Sequence, residues 1–266
     1  MTLQTPRELF DMSGRAALIT GGAGNLGGVF ARALAGAGAR VTLLDANDAA
    51  LARRVEELRS AGAQDVDAVQ CDLADPNAIA AAFSRIESRS KRLDVLVNNA
   101  AAQSRHFMSD LDALPLEDWE QVLRVNLTAP FLCVKAAIPL MRAAGRGSIV
   151  NIASIYGVVS PDPRIYDGTS IQTPPVYTAS KGGIAALTRY VAVYHAKDGI
   201  RCNSITPGGV FAGQPERFVT QYSARAPLGR MARADELAGA ILYLASDASS
   251  YVTGHNLVVD GGWTAW

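Results

Sequence analysis

The sequence predicts an α/β fold, a doubly wound parallel sheet of about seven strands with helices on both faces. Three observations predict it. Short apolar runs alternate along the chain with longer segments whose apolar residues recur at helical spacing, and such β-α alternation implies a parallel sheet covered on both sides. A Gly-rich loop joins the first apolar run to the first helical segment. The chain has 266 residues, 49% of them hydrophobic, enough for one sizeable core at the upper end of what a single α/β domain holds. One domain spanning 1–266 is therefore expected.

The first strand is the run Ala16, Ala17, Leu18, Ile19, Thr20, and a helix follows over 25–37 with Leu26, Phe30, Leu34 and Ala37 on one face. The loop between them reads G-x-G-x-x-G at Gly22, Gly24 and Gly27, with Gly21 before it. Glycines let backbone approach a pyrophosphate, and free N–H groups at a helix start face its charge. A second buried strand, 40–45, ends on Asp45, an acid that can accept hydrogen bonds from both hydroxyls of an adenosine ribose and would repel a 2′-phosphate. No basic residue follows it, so NAD is expected over NADP. Asp45 is equally suited to cap the next helix, 48–61. The third strand, 66–71, runs into Asp72 and Leu73, where the acid is placed either to reach an adenine ring or to cap a loop.

After a helix over 78–90, the fourth strand, 93–97, leads into Asn98, Asn99, Ala100 and Ala101. The paired amides can bridge backbone groups between strands, and the small alanines leave room for a flat ligand. Helical periodicity then spans Trp119, Val122, Leu123, Phe131, Val134, Ile138 and Met141, interrupted by Asn126. A buried Asn in an apolar helix must find partners, or else open a kink that binds a water.

The fifth strand, 147–152, precedes Ser154 at the carboxyl edge of the sheet, the edge where ligands bind in open α/β folds. The following stretch, 155–175, is rich in Pro, Asp and Gly, and a loop of that length in a compact domain is usually functional. A helix over 176–197 opens with Tyr177, and Lys181 stands four residues later on the same face. A phenol titrates near ~10, so proton exchange at neutral pH needs a nearby positive charge. Lys181 is placed to supply it, although the same spacing arises on ordinary surface helices. A sixth strand, 200–206, closes on Pro207, Gly208, Gly209 and Val210. The segment 208–230 reads as a mobile lid, 234–245 as an amphipathic helix, and 256–259 as the last strand. Trp263 and Trp266 suggest either an interface or a ring packed on its own domain.

With 25 basic and 25 acidic residues, the chain lacks the positive field that nucleic acid or an anionic membrane would require. A small-molecule ligand is expected instead. Cys71, Cys133 and Cys202 are widely spaced and odd in number, against a disulfide framework. Residues 1–13 lack a basic start followed by an apolar run, and the longest apolar stretch, 237–245, is far short of a span. A cytoplasmic protein is expected. His106, His195 and His255 are scattered, so no metal site is expected.

Taken together, the Thr20 to Gly27 loop, Asn98-Asn99-Ala100, Asn126, Ser154, Tyr177-x-x-x-Lys181 and Pro207-Gly208 resemble, in order, the markers of the short-chain dehydrogenase/reductase superfamily in its compact, Rossmann-type single-domain branch. The resemblance covers roughly Ser13 to Trp263. It implies that Tyr177 is the general acid/base, that Ser154 orients the substrate oxygen, that Lys181 holds the nicotinamide ribose and lowers the Tyr177 pKa, and that Asn126 anchors a relay water. Lowering a tyrosine from ~10 to neutrality is roughly 3 units, or about 4 kcal/mol. The resemblance also implies an NAD site made of Gly21, Gly24, Asn25, Leu26, Gly27, Asp45, Asp72, Leu73, Asn99, Ala100, Tyr177, Lys181, Pro207, Gly208 and Val210, and a homotetramer or homodimer.

Three departures stand out. Asn25 occupies a position that is usually Gly in the compact branch, and the loop equally fits the extended branch of sugar-nucleotide epimerases and dehydratases; Asn tolerates left-handed angles and caps helices. Ala212 replaces a threonine usual after the Pro-Gly. Ser154 and Tyr177 lie farther apart than usual, and the insertion carries Asp162, Arg164, Tyr166, Asp167 and Thr169. With Arg105 and His106, these polar groups are expected to converge on the pocket and to favour a sugar, polyol or sugar acid.

Overall fold

The computed structural model describes residues 4–63 and 65–266; residues 1–3 of the N-terminal segment read above lie outside them. Strand β1 (Ala16–Thr20) is buried along its whole length, because a parallel strand covered on both faces has no solvent side. Its Leu18 points to one helical layer and Ala17 and Ile19 to the other, as the two-residue period of a strand requires. The remaining strands are β2 (Arg40–Asp45), β3 (Val66–Gln70), β4 (Val95–Asn98), β5 (Gly147–Ile152), β6 (Ile200–Pro207) and β7 (Asn256–Val259). All pairings are parallel. The order β3-β2-β1-β4-β5-β6-β7 reverses between β1 and β4 and leaves a crevice at their carboxyl ends.

One face of the sheet is covered by α1 (Asn25–Gly36), α2 (Asp48–Ser60) and the later helix Ala238–Ala245, whose Phe30, Leu34, Leu51, Leu58 and Ile241 pack on Ile19, Leu43, Val97 and Val150. The other face carries α3 (Pro76–Ser90), α4 (Leu116–Ala143) and α5 (Pro175–His195), through Phe83, Ile86, Cys133, Ala137, Met141 and Val191. By length and composition α4 could cross a membrane, yet its apolar stripe is accounted for by packing against α3 and the sheet. The polar Asn126 expected inside this helix sits in a π-helical turn, Arg124–Thr128, a widening that is frequent at functional sites.

The segment 208–230 differs from the unpatterned lid expected. Within it α6 (Glu216–Ser223) is a regular helix with Phe218 and Tyr222 buried one turn apart, so this wall is packed. The reason is local: Pro215 sets the entry backbone, and two aromatics at i and i+4 share one face. The helix expected over 234–245 divides into a 3₁₀ turn, Ala234–Leu237, and α7 (Ala238–Ala245). Trp263 is buried against Tyr222, with ring centroids 4.3 Å apart, whereas Trp266 is exposed. Cys71, Cys133 and Cys202 are free and buried, and among the described residues there is no cluster of potential metal ligands.

Candidate active site

Two adjoining cavities occupy the crevice and share Leu26, Asn99 and Ala101. The first, about 420 Å³, is lined by Gly21, Gly24, Asn25, Leu26, Asp45, Asp72, Leu73, Asn99, Ala100 and Val125 among others. The second, about 480 Å³, is lined by Ser154, Tyr177, Lys181, Pro207, Gly208 and Val210, with Tyr156, Tyr166, Thr173, Gln214, Phe218 and Tyr222 around them. Both volumes suit small-molecule sites.

The first cavity has the form of a nucleotide cradle. Gly21 adopts φ +63°, and a Cβ on Gly27 would lie 2.1 Å from the Gly21 carbonyl oxygen, so the loop folds back more tightly than any other residue permits. Gly27 thus shapes the loop from behind and does not line the cavity. Helix α1 starts at Asn25 after Gly24 with no side-chain cap, leaving its first amides for an anionic ligand. Asn99 pins the loop, its Nδ2 donating to the carbonyls of Thr20 and Gly21 at 2.9 and 3.1 Å. The Thr20 hydroxyl accepts from the amides of Asn99 and Ala100, a tie absent from the expected residues. Asn98 bridges to the Asn151 side chain at 2.8 Å.

Asp45 does not cap α2; Asn47 does, accepting from the Ala50 amide. The Asp45 carboxylate faces the cradle and accepts from the amides of Ala23 and Asn47 at 3.2 and 3.1 Å. Asp72 lines the same cavity and also accepts from the Ala74 amide. The Arg54 guanidinium, which reaches the carbonyls of Ala23 and Gly24, is paired with Glu57 at 2.5 Å and does not line the cavity. The backbone trap and the carboxylate fit a dinucleotide.

In the second cavity, α5 begins at Pro175, so Tyr177 lies in its first turn, where the helix dipole favours an anion. Phe107 braces the Tyr177 ring edge-on at 6.3 Å. Burial pushes the phenol above its ordinary value, and the Ser154 hydroxyl pulls it back. The lowering expected from Lys181 is not among the causes of that shift; burial dominates, and it penalises the charged forms of both groups. Lys181 is itself lowered to about 8 by burial; its Nζ donates to the Ile152 carbonyl at 2.7 Å and sits 5.6 Å from the Tyr177 ring centroid. Ser154 Oγ accepts from the Tyr156 amide at 3.2 Å, which leaves its own proton free for a substrate oxygen. A Cβ on Gly157 would lie 2.7 Å from the Lys181 carbonyl, so the turn after Ser154 presses directly on the tyrosine helix.

Asn126 lines neither cavity. Its Oδ1 accepts from the Ala102 amide at 2.8 Å, while its buried Nδ2 has no partner, the orphan donor that a bound water would satisfy. At the missing threonine, Gln214 stitches the loop, accepting from the Ala212 amide and donating to the Val210 carbonyl. Gln214, Tyr156 and Tyr222 are pocket residues that sequence reasoning missed; for Tyr222 the i, i+4 aromatic pair with Phe218 was the available signal.

The polar convergence expected from the insertion does not occur. Tyr166 lines the pocket, but Asp162, Arg164, Asp167, Thr169, Arg105 and His106 do not. Asp162 pairs with Arg164 and Arg225 at 2.9 and 2.6 Å, Thr169 turns to its own backbone, and His106 pairs with Asp118 at 3.0 Å. Charged groups near a buried apolar wall neutralise one another outside it sooner than enter unpaired.

A family model described as enoyl-(acyl carrier protein) reductase matches residues 21–264. Cis-4-hydroxycyclohexanecarboxylate dehydrogenase of Sinomonas cyclohexanicum is 40% identical over 94% of this chain and 97% of its own. Galactitol 2-dehydrogenase (L-tagatose-forming) of Cereibacter sphaeroides is 37% identical over 98% and 99%. The crystal structure of a gluconate 5-dehydrogenase from Burkholderia cenocepacia J2315 in complex with NADP and tartrate superposes with TM-score 0.89 at 34% identity, covering 98% and 100% of the two chains. Together with the Tyr177, Lys181 and Ser154 constellation beside a dinucleotide cradle, these matches establish that the chain belongs to the short-chain dehydrogenase/reductase superfamily and is an NAD(P)-dependent oxidoreductase.

Proposed function

We propose that the protein interconverts a secondary alcohol and its ketone on a sugar, polyol or sugar-acid-like substrate, with NAD preferred, using Tyr177 as the proton-transferring group. The observation that carries this reading is the placement of Tyr177 and Ser154 in one cavity that opens onto the Asp45 cradle. In oxidation, the substrate O–H proton passes to the Tyr177 phenolate and the carbinol C–H bond breaks as a hydride leaves; reduction reverses both. The bound nicotinamide supplies the hydride acceptor or donor. Ser154 donates to the substrate oxygen, Lys181 supplies positive charge beneath the phenolate, and Asn126 offers its free Nδ2 to a water that returns the proton to solvent.

Tyr177→Phe should abolish turnover in a spectrophotometric assay of polyols and sugar acids while cofactor still binds; retained turnover would refute the role. Asp45 supports NAD, since a 2′-phosphate would meet an unpaired carboxylate. Asp45→Ala should lower the NAD/NADP ratio of kcat/KM by tenfold or more, and a parent enzyme that prefers NADP would overturn the assignment. We further propose a homodimer or homotetramer working in the cytoplasm. Exposed Phe131, Tyr190, Val193 and Tyr194 support the first, and three free buried thiols agree with the second.

A further inference from the structure

The substrate cavity is nearly free of charge. Among the described residues that line it, Lys181 is the single ionisable group other than tyrosines, and its Nζ, which donates to the Ile152 carbonyl, sits beneath the Tyr177 ring. Of the arginines on the neighbouring segments, Arg164 and Arg225 pair with Asp162, and neither they nor Arg105 and Arg217 line the cavity. Its neutral polar lining includes the amides of Asn99, Gln103, Gln172 and Gln214, the Ser154 hydroxyl and a chain of three further hydroxyls. Tyr156 Oη and Tyr166 Oη are 2.8 Å apart, and Tyr166 Oη is also bonded to Thr173 Oγ1. Burial pushes both phenols up, so they remain neutral.

Three hydroxyls joined by two hydrogen bonds leave one proton over, and the chain can run in either direction. It therefore offers a donor at one end and an acceptor at the other, and the two can exchange. A ligand hydroxyl, itself both donor and acceptor, is satisfied by such a chain in either sense. A carboxylate accepts only, and losing its water without a cation paired to it is unfavourable. The facing wall is apolar: Phe218 stacks on Tyr166 with centroids 5.5 Å apart, beside Ile155 and Met231, a surface matched to the C–H face of a ring or carbon chain.

We propose that this enzyme selects a neutral polyhydroxy or cyclic alcohol against its carboxylate counterpart, with the Tyr156, Tyr166 and Thr173 hydroxyls as the specificity determinant. The inference rests on the dehydrogenase function proposed above. The test compares kcat/KM for matched pairs, a hexitol with its aldonate and 4-(hydroxymethyl)cyclohexanol with 4-hydroxycyclohexanecarboxylate, using NAD and then NADP. At least a tenfold preference for the neutral member is expected in each pair that turns over. Tyr166→Phe should raise KM for the neutral member more than it lowers kcat and should narrow the neutral-to-acid ratio, which loss of folded protein alone would leave unchanged. A parent ratio near or below one overturns the specificity and leaves the dehydrogenase reading intact. No turnover of any pair with either cofactor overturns both.

Discussion

Lys181 shows how much of the site is held against its own solvation preference. Burial lowers it from 10.5 to about 8, so between those two pH values the unfolded chain holds a proton that the folded chain has released. Stability from this group therefore rises as pH climbs from about 8 to about 10.5, and its penalty is fully present below 8. A shift of this size corresponds to about 3 kcal/mol. Lys181→Met removes the penalty, so the variant should gain relative to the parent at pH 7 and lose that relative gain by pH 10.5, as read from denaturant unfolding at both values. A constant difference would show that Lys181 does not titrate in that window. The residues of this constellation were legible in sequence because their types and order are specific, and Asp45, Ser154, Tyr177 and Lys181 all face the crevice. The direction of the Tyr177 shift was not legible, because desolvation depends on neighbours such as Phe107 that come from a distant loop.

Tyr222 on α6 connects the pocket wall to the turn that follows β6. Its hydroxyl accepts from the Gly209 amide at 2.5 Å, and its ring stacks on Trp263. Tyr222→Phe leaves the stack in place and unpairs that amide, at a cost of about 1 kcal/mol. The variant should unfold at correspondingly lower denaturant and show a higher KM for the alcohol; an unchanged midpoint and KM would mean that the bond is incidental. Elements such as β1, β2, β5 and β7 were readable to the residue because each is a short stretch dominated by apolar residues and bounded by turn signals. Helix α6 was not, because eight residues between Pro- and Gly-rich flanks show only two turns of periodicity. The π turn at Arg124–Thr128 was likewise hidden, since a widened turn keeps helical side-chain character and only its orphaned Asn126 hints at it. The insertion misled for a related reason: its Asp162 pairs with Arg164 and with Arg225 from beyond the insertion, a choice made by packing and invisible to composition.

At the scale of the whole molecule, burial is uneven in a way that the sheet does not require. Helices α4 and α5 bury one stripe on the sheet, yet their outer surfaces keep Phe131 and the trio Tyr190, Val193 and Tyr194, the last three 57%, 75% and 59% exposed. Tyr190 and Tyr194 stack on each other at 4.2 Å, presenting a flat aromatic plate more than half exposed. Aromatic side chains grouped in this way on one surface are the composition of an interface core more than of a solvated face, and in the proposed oligomer a second copy of the same chain would offer the matching plate through a twofold axis. Val193→Asp places a carboxylate in the middle of that plate and touches neither cavity. If the plate joins subunits, light scattering coupled to size exclusion should give an oligomer for the parent and a smaller species for V193D. A monomeric parent, or a variant of unchanged mass, would mean that the plate faces water in the working enzyme.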